Sequence, residues 1–186
     1  TIPVLLLLHI DYATYYEGAK FLAWLLTPAT VALAVPLYEQ FSLLKHNAAA
    51  VAAGIISGVL SSLGSVLGLA AVFGFSHEEY ITFLPKSITT AIGMGVSEEL
   101  GGIVSISAGV IIITGVLGNI LGELVLKLFR ITEPVAKGIA LGTSAHAIGT
   151  AKAMELGEAE GAMSSLSIAV SGLITVAGAA LFANFY

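Results

Sequence analysis

The fold class this sequence predicts is all-α: a polytopic membrane helical bundle with inverted repeats and broken or re-entrant helices. Three observations carry that expectation. The chain is 57% hydrophobic and 10% charged, with a mean hydropathy of +0.98, whereas a soluble domain carries about 25% charged residues. The charges cluster between uncharged runs at 47–73, 103–122 and 161–186, each long enough to cross a bilayer core of about 30 Å as a helix. Between these runs lie shorter segments interrupted by Gly, Pro, Ser and Thr. Composition also excludes several functions. Seven Lys and Arg against 12 Asp and Glu leave no basic patch for nucleic acid, and the chain has no Cys for a thiolate metal site or a thiol nucleophile. Neither HExxH nor a Walker sequence occurs, so the expectation is a non-enzyme without metal or cofactor.

Taken in order, Leu5–Ile10 has the composition of the tail of a spanning helix that begins before Thr1. Segment 20–38 is interrupted at Thr27-Pro28-Ala29-Thr30 and again at Pro36, and Thr27 before Pro28 is an N-cap pattern that predicts a half-helix starting there. Run 47–73 is smooth, and Gly54, Gly58, Gly64 and Gly68 form a small-residue face suited to close packing. Segment 80–101 holds Pro85-Lys86-Ser87-Ile88-Thr89-Thr90 and then Glu98-Glu99. Run 103–126 is smooth again, with Asn119 expected between helices. Segment 138–152 breaks at Gly142-Thr143-Ser144-Ala145-His146, and 161–185 completes the series. Broken segment followed by smooth helix thus occurs three times in one membrane domain, 1–186, with repeat-like units 20–74, 80–129 and 137–185.

Loop charge orients these pieces, because Lys and Arg near helix ends favour the cytoplasm. Lys45 and the group Lys127, Arg130 and Lys137 mark inner loops, while the Glu78/Glu79 and Glu155/Glu158/Glu160 loops go outside. Segment 80–101 must then be re-entrant, and units 20–74 and 137–185 become inverted copies. Inverted repeats with broken helices are the build of many secondary transporters, whose sites lie where the breaks meet. Candidate ligand residues are Thr27, Thr30, Lys86, Ser87, Thr89, Thr90, Thr143, Ser144 and His146, with Glu98 and Lys152 secondary. Lys86 matters most, since a cation at the helix centre costs about 2.5–3.5 kcal/mol. It either neutralises a substrate carboxylate, or snorkels to the interface or pairs with Glu98 or Glu99. Thr143, Ser144 and Ser87 either cap half-helices whose N-termini suit an anion, or bond back to the preceding turn. His146 either faces substrate or joins two helices.

The blocks Leu26-Thr27-Pro28-Ala29-Thr30-Val31-Ala32-Leu33-Ala34-Val35-Pro36-Leu37-Tyr38, Pro85 to Thr90 and Ala140 to Ala151 strongly resemble the LrgB/CidB family over nearly the whole chain. That family includes antiholin-like bacterial proteins and the homologous part of the plastidal glycolate/glycerate translocator. The resemblance implies a multi-pass protein of the cell inner (cytoplasmic) membrane that carries small monocarboxylates of the glycolate, glycerate, pyruvate or lactate type, with proton coupling as one form of such transport. The alternative it implies is an antiholin-like regulator of murein hydrolase activity and lysis. A homo-oligomer, such as a dimer, and a small LrgA/CidA-like membrane partner are expected with either role. Ala91 stands where family members usually carry Pro, and Gly95 lies where many have a larger polar residue, so the hairpin at 85–93 should be less sharply broken here.

Overall fold

The computed structural model describes residue 5, residues 7–8, 11–32 and 34–186 of the chain, which falls into two compact units, Thr1–Val35 and Pro36–Tyr186. In the first, helix α1 (Tyr12–Ala32) is continuous and carries Pro28 in its interior. The half-helix expected to start at Thr27-Pro28 is therefore not formed. One proline removes a single donor from the ladder, and α1 continues past it to Ala32.

The second unit begins within α2 (Ala34–Glu39) and continues through α3 (Phe41–His46), α4 (Ala48–Phe73), α5 (His77–Phe83), α6 (Thr90–Leu100), α7 (Val104–Leu128), α8 (Pro134–Leu156) and α9 (Glu158–Phe182). No strand occurs among the described residues. Segments Ala48–Phe73, Val104–Leu128 and Glu158–Phe185 are long and apolar enough to cross a membrane, with mean hydropathies of 2.0, 2.1 and 2.1. The 26 residues of α4 extend about 39 Å.

Helices α5 and α6 have only 7 and 11 residues, too few to cross. They form a hairpin. A capping box between Ser76 and Glu79 starts α5. Its Tyr80 hydroxyl donates to the Phe182 carbonyl at 2.9 Å, and the Ile103 amide, just before α7, donates to Thr82 Oγ1 at 2.8 Å. Tyr186 donates to the carbonyls of Ala70 and Phe75 at 3.1 and 2.8 Å. The ends of α4 and α9, the start of α7 and both feet of this first hairpin thus share one end of the unit. Because Glu78, Glu79, Glu98 and Glu99 lie there without Lys or Arg, we call it the acidic end.

Helix α8 is a second hairpin. The helical ladder breaks at Ala145 (φ −132°, ψ 16°) and His146 (φ 43°, ψ −138°), the latter in a region that non-glycine residues rarely adopt. The arms 134–144 and 147–156 then run back to back. A Cβ built at Gly138 would lie 2.4 Å from the Glu160 carbonyl oxygen, and one at Gly161 would lie 2.9 Å from Met154 Cγ. The first turn of α9 thus touches the feet of both arms. Lys137 meets Glu160 at 3.5 Å, and Lys152 meets Glu123 of α7 at 3.2 Å. This corrects the expected topology. Unit 137–185 does not cross and return, because each arm rises only about 16 Å and the chain reverses at His146. The Glu155–Glu160 loop accordingly shares an end with Lys127, Arg130 and Lys137, which we call the basic end.

Glycine lets the second hairpin approach its neighbours. Cβ atoms at Gly115, Gly118 and Gly122 of α7 would stand 2.6, 2.2 and 2.6 Å from His146, Ala145 and Leu141. On α4, a Cβ at Gly54 would meet Ile139 at 3.2 Å and one at Gly58 would meet Thr143 at 2.9 Å, whereas Gly64 and Gly68 have nothing within 4 Å. The expected four-glycine packing face of α4 is therefore used within the described chain only in its first half.

Candidate functional site

The two hairpins enter from opposite ends and reach the same depth. Ile111 of α7 marks it: its carbonyl lies 2.9 Å from His146 Nε2 at the second hairpin's tip, and its Cδ1 is 2.4 Å from where a Gly93 Cβ would stand in the first. On α4 the contacts fall one turn apart, Gly58 against Thr143 and Ser62 against Ser87 at 2.9 Å. Between these tips lies a cavity of about 560 Å³, bordered by Lys86 and Ser87 from the first tip, by Thr143 and Ser144 from the second, and by Ser62 and Thr114 from α4 and α7. Ser61 and Ser65 of α4 also border it, and the rest of its lining is apolar. A largely apolar hollow of roughly 300–1,000 Å³ with a few converging polar groups is what a small-molecule site offers.

Lys86 supplies the charge. Its Nζ donates to Ser87 Oγ at 3.0 Å and to Ser62 Oγ at 3.3 Å. No described carboxylate lies within ion-pair distance of it, so the pairing with Glu98 or Glu99 is absent, and both glutamates are exposed at the acidic end. An ammonium offers three donors. Two rest on serine hydroxyls, and the third is left for a group in the cavity.

The remaining candidates separate. Thr143 and Ser144 border the cavity, but their hydroxyls donate back to the carbonyls of Ile139 and Ala140 at 2.7 and 2.6 Å. They close the incoming arm rather than cap the outgoing one. Ser87 is likewise no cap, since α6 starts behind Thr89, whose side chain makes no capping bond. Neither Thr89 nor Thr90 borders the cavity, nor does His146, which is buried against α7. The positive charge at the cavity is thus that of Lys86 and not of a half-helix N-terminus. Lys152 lies at the basic end between Glu123 and Glu155. The side chains of Thr27 and Thr30 lie outside the described residues. Asn119 does join helices, donating to the Ile148 carbonyl at 2.9 Å. Sequence reasoning missed Ser61, Ser62, Ser65 and Thr114, all at the cavity wall. A signal existed: Ser57, Ser61 and Ser65 recur every four residues in an otherwise apolar helix, on one face.

Comparison with known proteins fixes the family. A model of the LrgB-like family matches residues 1–185. The chain belongs to the LrgB-like family. Among its LrgB-like relatives, the antiholin-like protein LrgB of Bacillus mycoides is 38% identical over 177 residues, covering 95% of this chain and 77% of that protein, and its namesake in Bacillus cereus matches equally. The protein YxaC of Bacillus subtilis is 38% identical over 173 residues, or 93% of this chain and 75% of its own. No solved structure matches.

Proposed function

We propose that this LrgB-like chain belongs to a secondary transporter of small monocarboxylates of the glycolate, glycerate, pyruvate or lactate type, and acts without enzymatic chemistry. One observation carries the reading: two hairpin tips from opposite ends converge on a cavity that holds a lysine without a carboxylate partner. A cation desolvated among apolar walls favours an anion that returns its lost hydrogen bonds, and a single carboxylate on the third Nζ donor does so. The inverted pair in this reading is hairpin plus helix, 77–128 and 134–182, instead of 20–74 with 137–185. Each half places one broken element at mid-depth.

The same reading orients the chain as a multi-pass protein of the cytoplasmic membrane. Lys45, Lys127, Arg130, Lys137 and Lys152 gather at or beside the basic end, which the positive-inside rule puts in the cytoplasm. The second reading, an antiholin-like membrane regulator, draws on the name of the relatives and on Gly64 and Gly68, whose outward face has nothing within 4 Å. That face suits a second copy of the chain or a small LrgA/CidA-like partner. Sealed vesicles containing the purified protein discriminate: labelled glycolate or pyruvate enters well above the rate of empty vesicles if it is a carrier. Uptake no faster than in empty vesicles, for all four acids and with or without a proton gradient, rejects transport.

A further inference from the structure

A second hollow, of about 510 Å³, lies between the first half of α4 and the incoming arm of the second hairpin, and runs from Asn47 and Glu133 at the basic end to Ser57. It shares Gly58, Ser61, Ala140 and Thr143 with the Lys86 cavity. Every hydroxyl that α4 carries, on Ser57, Ser61, Ser62 and Ser65, borders one hollow or the other. Toward the acidic end the space beyond Lys86 is filled by the first hairpin. Tyr80, Ile81, Leu84 and Ile88 of the first hairpin are each at most 2% exposed.

From this geometry we infer that anions reach Lys86 from the basic end in this conformation, between the serine face of α4, the incoming arm and the second half of α7, because the Lys86 cavity itself continues along α7 to Leu126 and Ile131 at that end. Ser57 borders the outer hollow, and Ser62 lies beside Lys86. The inference deepens the carboxylate reading, but its geometry can be tested whether or not carboxylate moves.

The chain contains no cysteine, so single thiols report access directly. Thr132→Cys marks the basic end and Glu99→Cys the acidic end. With a small membrane-impermeant anionic methanethiosulfonate applied to one side of vesicles at a time, Ser57→Cys is modified from the Thr132 side at least tenfold faster than from the Glu99 side. Ser62→Cys, beside Lys86, is likewise modified at least tenfold faster from the Thr132 side. Modification of Ser57→Cys or Ser62→Cys chiefly from the Glu99 side overturns the path, as does resistance of both from both sides while Thr132→Cys reacts. Failure of the carboxylate reading would look different: no uptake by the unmodified chain, with this pattern of thiol access intact.

Discussion

Lys86→Gln is expected to abolish saturable carboxylate uptake while the protein still assembles. A charge-assisted hydrogen bond contributes about 1.5–3 kcal/mol, or roughly 10- to 150-fold in affinity. Losing the cation also strands a carboxylate among apolar walls, so the observed loss should reach the upper part of that range. Glutamine keeps much of the stem and an amide able to bond Ser62 and Ser87, whose contacts with Lys86 are 3.3 and 3.0 Å, so the packing of the first hairpin's tip is retained. Lys45→Gln is the matched control: it removes the same charge at an exposed position beside the basic end and should change uptake little. Initial rates over a range of glycolate and pyruvate concentrations give the answer. A wild-type rate and affinity for Lys86→Gln would remove the central cation from the mechanism.

Gly142→Val is expected to be among the most damaging substitutions for stability. A Cβ at 142 would lie 2.5 Å from the Ser164 carbonyl oxygen, 2.9 Å from Ser164 Cα and 2.8 Å from Ser167 Cβ. Two of these three are backbone atoms of α9 and cannot swing aside. Overpacking of a tight core costs about 1–3 kcal/mol, and here the incoming arm must leave α9, which threatens the Lys137–Glu160 pair and the 2.7 Å bond between Thr150 and Ser164. Purified in detergent, the variant should melt roughly 5 °C or more below the parent, or fail to remain monodisperse. Gly109→Val, where nothing lies within 4 Å, makes the same change in mid-helix and should stay close to the parent. Equal melting of the two variants would mean that the second hairpin does not pack on α9 as described.

The three helices long and apolar enough to cross a membrane were legible because length and hydropathy suffice to specify them, and the second break was legible because Gly142 to His146 offers little apolar continuity. Pro28 misled for a physical reason: a proline's meaning depends on whether the surrounding helix can spare one donor, and α1 can. The path of the second hairpin was hidden because loop charge counts cations loop by loop. Glu155, Glu158 and Glu160 look like an outer loop, yet Glu160 meets Lys137 and Glu155 meets Lys152. Lys86 was found by the cost of burying a charge. Its serine partners on α4 were not, since a serine in a membrane helix can bond its own preceding turn, as Ser57 and Ser65 do. Only the tertiary arrangement shows that all four α4 serines border one hollow or the other.

That the two tips share one ligand is the central claim, and it is tested most directly at a thiol placed on one tip while the charge is removed from the other. Ser144 is exposed and borders the Lys86 cavity, so Ser144→Cys in this cysteine-free chain should react with a small thiol reagent and be shielded by saturating glycolate or pyruvate. Carboxylate is expected to slow modification at least tenfold, and adding Lys86→Gln on the opposite hairpin to remove this protection without changing the rate in the absence of carboxylate. Protection that persists in Lys86→Gln, or no protection by any of the four acids with Lys86 intact, would contradict a shared site.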